Sequence, residues 1–246
     1  MFNKKTGAYL AVLFIVSVLV LSISIINNNK IYAQGQKTLE EFFRPIGKFI
    51  QSNPDLLKDS IKTIKNAAIT SDETVAWVND IPITIGELEF RKGLNEAGER
   101  HKSYSEVFNV LVEEKVVFDY AIKNKLLPTE EEVKRFIAEE QQQYSASEEY
   151  QKGVDLFSKT ANMSLEDYWN TYEWYNAFRL LTFTKSFTHA TKGIDLDIAQ
   201  DGPEKYNAKQ TLWKNVKIKL KSEAKVKMND KFEGLNLQLD RSKLYL

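Results

Sequence analysis

Apolar and polar positions change period several times along the chain, and each change marks an element. Val75, Ala76, Trp77 and Val78 form a short apolar run compatible with an extended strand. Asn79 and Asp80 tolerate positive φ and suit a two-residue hairpin turn. Pro82 holds Ile81 out of the helical region, so no helix begins before residue 83. Thr84 and Glu87 stand in the Ser/Thr-x-x-Glu relation of a capping box, which predicts a helix starting at Thr84. The same punctuation recurs at Thr129 and Glu132, behind the helix breaker Pro128, and at Ser164 and Asp167.

The helices between these signals differ in character. Tyr104 to Leu126 sets Val107, Phe108, Leu111, Val112, Val116, Phe118, Ala121 and Ile122 on an apolar surface too broad for an exposed helix, and is expected to be the central core helix. Val133, Phe136 and Ile137 make a narrower stripe that fades into Gln141, Gln142 and Gln143, and a weaker helix is expected over Glu148 to Ser158. Ser164 to Phe187 reads as one helical segment crowded with aromatic side chains. A loop is expected from Gly193 to Gly202 and a helix from Pro203 to Ala224. Alternation over Ala224 to Asn229, and again at Leu235, Leu237 and Leu239, then predicts half-buried strands. Upstream, Leu39, Phe42, Phe43, Ile46, Phe49 and Ile50 recur at helical spacing until Pro54 interrupts, the pattern of a broken amphipathic helix.

Taken in order, Val78-Asn79-x-x-Pro82-Ile83-Thr84-x-x-Glu87-Leu88, the apolar helix after Tyr104, and Leu127-Pro128-Thr129-Glu130-Glu131-Glu132-Val133 resemble the N-terminal domain of the SurA and PrsA foldases. The helical peptide-binding unit of that family is related in fold to that of trigger factor. The resemblance covers roughly Val75 to Thr188, with two departures: Asp80 stands where the family often has Gly, and Gly86 falls in the first turn of the helix. It implies a mostly α fold, a helical SurA-N-like domain with a small β element made by the N-terminal hairpin and C-terminal strands. Val226 and Met228 would then pair near Trp77. It also implies an extracytoplasmic chaperone whose partners are unfolded or secreted polypeptides. Relatives usually carry a parvulin prolyl isomerase domain before the returning helix, and the short span from Thr188 to Pro203 has no room for one.

The first residues supply an address. Lys4 and Lys5 precede Ala8 to Ile26, 19 residues without a charge. That is longer than the ~7–15-residue apolar region of a cleaved signal and close to the ~20 residues that span a bilayer. Residues 1–33 are therefore read as a membrane anchor through residues 8–26, or as a signal peptide cleaved after Ala33. Either route places the rest on the extracytoplasmic face of the cell membrane or outside the cell. Residues 34–72 are expected to be a juxtamembrane amphipathic stalk packed on the domain. Residues 73–246 form the domain itself, with a helical core over 84–188 and a returning helix and strands over 203–240.

Charge and composition remove several functions. Lys4, Lys5 and Lys30 are the only charged residues before Gln34, so the remainder carries 31 basic and 34 acidic residues, interleaved. Nucleic-acid binding, which calls for a basic footprint, is not expected. The chain has no cysteine, which excludes disulfides, thiolate metal sites and a cysteine nucleophile. His101 and His189 lack acidic partners at ligand spacing, and there is no glycine-rich phosphate loop or Gly-x-Ser-x-Gly elbow. Glu130, Glu131 and Glu132 suit the positive end of a helix dipole. No catalytic, cofactor or metal site is expected.

What remains is surface. Tyr168, Trp169, Tyr172 and Phe183 are read as core. Two or three of Trp174, Tyr175, Phe178 and Phe187 are expected to face a groove and bind extended peptides, on the ground that a helix buries little more than half its circumference. A noncatalytic chaperone is the leading reading. A prolyl isomerase and an adaptor of an envelope complex are the alternatives.

Overall fold

The computed structural model describes residues 39–64, 71–194 and 203–246. Strands β1 (Thr74–Val78) and β2 (Ile81–Thr84) form the expected hairpin. Asn79 and Asp80 take φ of 48° and 70°, the two positive values that a type I′ turn requires. Asn79 is more than a turn residue: its Nδ2 donates to Asp119 Oδ2 at 2.8 Å and its Oδ1 accepts from Lys225 N at 2.8 Å. Strand β3 (Val226–Met228) lies antiparallel on the other side of β1, with Val226 opposite Val78, Lys227 opposite Trp77 and Met228 opposite Ala76. The sheet order is β2-β1-β3, so the chain does return beside its first strand. The fold is mostly helical around this small antiparallel sheet.

Helix α1 (Leu39–Ser52) and α2 (Pro54–Ile64) are separated at Asn53, and Pro54 opens the second, where its missing N–H leaves no intrahelical bond unmade. The segment read as a stalk is part of the core. Phe43, Ile46, Ile50 and Leu57 are buried in the same cluster as Phe157, Tyr172 and Tyr175. Helix α1 packs along α6 (Glu148–Thr160), where a Cβ on Gly47 would collide with the Thr160 side chain.

Helix α3 (Ile85–Ala97) starts as expected, with Thr84 Oγ1 accepting from Glu87 N at 3.1 Å. Its capping box is incomplete, because Glu87 is buried and accepts instead from Lys115 Nζ at 2.8 Å. A tertiary ion pair has taken the carboxylate that the local rule assigned to the cap. Gly86 also has a reason: a Cβ there would lie 2.8 Å from the Asp59 Cβ of α2.

Helix α4 (Tyr104–Lys123) is the central helix, buried without interruption from 107 to 117. It touches the hairpin, α3, the long helix α7 (Trp174–Ala190) and the returning helix α8 (Pro203–Glu223). Its start is fixed by a full capping box of Ser103 and Glu106, and α5 (Glu130–Ala146) starts with another of Thr129 and Glu132. The aromatic segment is not one uniform helix. After the Ser164 cap come one turn (Leu165–Asp167), a π-helical stretch (Tyr168–Glu173) and then α7.

The second C-terminal strand does not form. Asp230–Leu235 is a short 3₁₀ turn, Asn236 is left-handed with φ of 50°, and the chain runs on irregularly to Leu246. Leu235, Leu237 and Leu239 still pack half-buried against the core under the sheet. The alternation was read correctly as one-sided burial, but a helix rather than a strand stands beside it. Among the described residues no helix is long and apolar enough to cross a membrane, and the uncharged run 8–26 lies outside them. The expected loop 193–202 lies mostly outside them as well.

Candidate functional site

Of the four rings expected to supply an aromatic groove, two are core and two are half-buried. Trp174 and Tyr175 are core, exposed by 7% and 0%. Phe178 is half-buried and stacked between Trp174 and Phe118, with ring centroids 5.4 and 6.2 Å away. Phe187 is half-buried with its ring meeting that of Trp213 edge-on at 6.3 Å. Helix α7 is not a surface helix: α4, α5 and α8 pack on it, and the π-helical stretch runs straight into its first turn.

A stripe of polar residues accompanies those rings into the interior. Glu173, Asn176, Arg179, Thr182 and Ser186 are each at most 1% exposed and recur at helical spacing. Arg179 and Arg91 both donate to Glu114 Oε1, tying α7, α3 and α4 at one buried point. Burial, and then the like charge of Arg179, lower the Arg91 guanidinium to about 10. Further along, burial and then the facing Glu173 carboxylate raise Glu140 well above the usual carboxylate range. Glu173 is raised chiefly by burial, against Glu140, Tyr168 and Asn176, which stabilise its charge. Tyr168 OH donates to Glu173 Oε2 at 3.0 Å. Of the two, Glu140 is the carboxyl that burial and the neighbouring negative charge hold protonated furthest above the usual range.

That proton has a measurable consequence. The folded chain keeps it at pH values where the unfolded chain, whose glutamates titrate near ~4.3, has released it. Stability therefore declines as pH rises from there through the raised folded values, by up to about 1.4 kcal/mol per pH unit for each excess proton. Glu140→Gln is neutral at every pH and removes this titration. In urea titrations it should match the parent at pH 4 and exceed it increasingly at pH 6 and 8; parallel pH profiles would show that the pair does not titrate with folding.

The remaining site lies on the opposite side of α4. Ser105, Asn109 and Glu113 sit at four-residue spacing on one face and hold the backbone of the last eleven residues. Ser105 Oγ donates to Asn236 O at 3.3 Å and accepts from Gln238 N at 3.1 Å. Asn109 Nδ2 donates to Gln238 O at 2.7 Å and its Oδ1 accepts from Asp240 N at 2.9 Å. After a turn in which Asp240 accepts from Ser242 and Tyr245, Glu113 accepts from Tyr245 N at 2.7 Å and Leu246 N at 2.8 Å. The fully buried Lys221 donates to the same carboxylate at 2.8 Å and to Lys243 O at 2.8 Å. Burial pushes Glu113 up, while Lys221 and the two amides pull it down. The Leu246 side chain ends in a cluster with Val117, Phe183 and Trp213. Arg241 Nη1 donates to the carbonyls of Lys221 and Ser222 at the end of α8 and of Ala224 just past it, at 2.9 to 3.0 Å. A cavity of ≈ 520 Å³ opens beside this contact, lined by Ser105, Asn109, Asp240, Arg241 and Tyr245 among others.

The sequence reading singles out none of Ser105, Asn109, Glu113, Lys221 and Arg241, although a signal is there. Asn109 and Glu113 interrupt the apolar face of a helix read as fully buried, and buried polar groups need partners. Of the two histidines, His101 is exposed and His189 Nδ1 lies 2.7 Å from Tyr120 OH. Among the described residues no cluster of His, Cys, Asp and Glu is suited to a metal ion. Comparison of the chain with protein-family models, with curated proteins and with solved structures found no match.

Proposed function

We propose that the protein binds unfolded or newly translocated polypeptides without catalysis, on the extracytoplasmic face of the cell membrane or, if its leader is cleaved, outside the cell. The observation that carries this reading is the polar ladder of Ser105, Asn109 and Glu113. Every bond it makes to the tail goes to main-chain N–H or C=O, and groups that read the backbone accept segments of any sequence. The resemblance to the SurA and PrsA N-terminal domain supports the same reading, as does the uncharged N-terminal run after Lys4 and Lys5.

The test separates binding from catalysis. The protein should suppress aggregation of a chemically denatured client at near-stoichiometric ratio. It should leave the slow proline phase of a refolding substrate, which takes tens of seconds or more uncatalysed, at its spontaneous rate. Acceleration of that phase would establish the prolyl isomerase reading instead, and aggregation unchanged by excess protein would remove the chaperone reading.

A further inference from the structure

The contact between α4 and the tail has the metric of a strand ladder. Four residues of helix advance ~6.0 Å, and two residues of extended chain advance about 6.6 Å. Side chains at i, i+4 on a helix can therefore meet every second residue of an extended segment. The described bonds follow that rule: Ser105 and Asn109 meet residues 236, 238 and 240, which share one edge of the tail. The alternate residues Leu237 and Leu239 turn the other way, into the core under the sheet, with Leu235 ahead of them. The helix supplies the hydrogen bonds of a neighbouring strand, and the core supplies apolar contacts at every second position.

From this geometry we infer that the tail 236–246 is a resident occupant of the polypeptide-binding groove, and that extended segments with apolar residues at alternate positions compete with it for the face of α4. The inference rests on the polypeptide-binding reading and adds the ligand class and its control. The ligands are strand-forming segments patterned like Leu235-x-Leu237-x-Leu239, rather than single exposed aromatics. The control is intramolecular: a tethered occupant is present at high effective concentration, so trans ligands bind weakly until it leaves. Arg241 and Lys221 tie the tail to the end of α8 as well, so its release must break these bonds together with those to α4. Its main-chain bonds to α4 run through three side chains, and the Leu246 side chain closes the far end.

Because the chain has no cysteine of its own, an engineered pair can decide the matter in the full chain. Ser105→Cys with Gln238→Cys puts a thiol on the side chain whose Oγ accepts from the Gln238 main-chain N at 3.1 Å, so oxidation locks the tail and dithiothreitol frees it; because Ser105 belongs to the ladder, the oxidised and reduced forms of this one variant are compared with each other and not with the parent. The probe is a fluorescent peptide of residues 234–246. The reduced protein should bind it, the oxidised protein at least tenfold more weakly, and reductant should restore binding. Leu246→Ala, which loosens the resident tail, should bind the probe several-fold more tightly than the parent, whereas a tail that only completes the fold would give no gain. A probe with Leu237 and Leu239 changed to Ser should bind at least tenfold less well.

Equal binding by oxidised and reduced protein overturns the inference, as does absence of binding by the reduced and Leu246→Ala forms together. A reduced and alkylated unfolded protein is measured in parallel. Probe binding that responds to the lock while this client is ignored supports the exchange and overturns the chaperone reading. Client binding indifferent to the lock does the reverse.

Discussion

Glu114→Gln is expected to lose about 3–5 kcal/mol of folding stability, because it removes the buried carboxylate to which Arg91 and Arg179 both donate. A domain of this kind has only ~5–15 kcal/mol in all, so the variant should melt at a much lower urea concentration and be partly unfolded near body temperature. Either arginine changed alone to Met should do less damage, since Glu114 keeps the other. The three changes will not add, because all three groups share one carboxylate oxygen. Circular dichroism across a urea titration measures the loss, and a loss under 1 kcal/mol would show that water reaches the cluster. The triad joins α3, α4 and α7, so its removal should also raise amide exchange in all three.

The double change of Trp174 and Phe178 to Ala should be as severe. Truncating the buried Trp174 costs about 3–5 kcal/mol; the half-buried Phe178 ring stacks on it, so its loss widens the same cavity. The product is expected to be recovered as aggregate or as a loosely packed state. Loss of client binding with the melting profile unchanged would restore these rings to the surface, and Tyr175→Ala offers the internal comparison because that ring is fully buried.

Features decided by neighbours in sequence were legible without a structure. The Asn79-Asp80 turn, the caps at Thr84, Thr129 and Ser164, and the strand at 226–228 all follow from residues within a few positions of one another. Misreadings arose where a distant partner decided the outcome. Glu87 fits a capping pattern, yet its carboxylate goes to the buried ammonium of Lys115, 28 residues further along the chain. Leu39–Ile64 had the stripe of an amphipathic helix, and a stripe does not say whether it meets lipid, a stalk partner or a core. The aromatics of α7 were counted against a surface helix, whereas the fold surrounds it. The α4 ladder was hidden for the same reason: its partners lie about 130 residues further along the chain.

The order in which the chain is made has a bearing on its own folding. Asn79 meets Lys225, and Asn229 meets Thr74, across 146 and 155 residues of sequence. A nascent chain emerging from its N-terminus has the hairpin and the central helix long before it has their last neighbours. Until residue 226 arrives, β1 has one edge unpaired, and until Lys221 arrives Glu113 is an acid inside an apolar helix with no cation. Contacts this remote in sequence make folding slow. For most of its synthesis the protein is an exposed, incompletely paired polypeptide, which is the same kind of molecule as the ligand we propose for the face of α4.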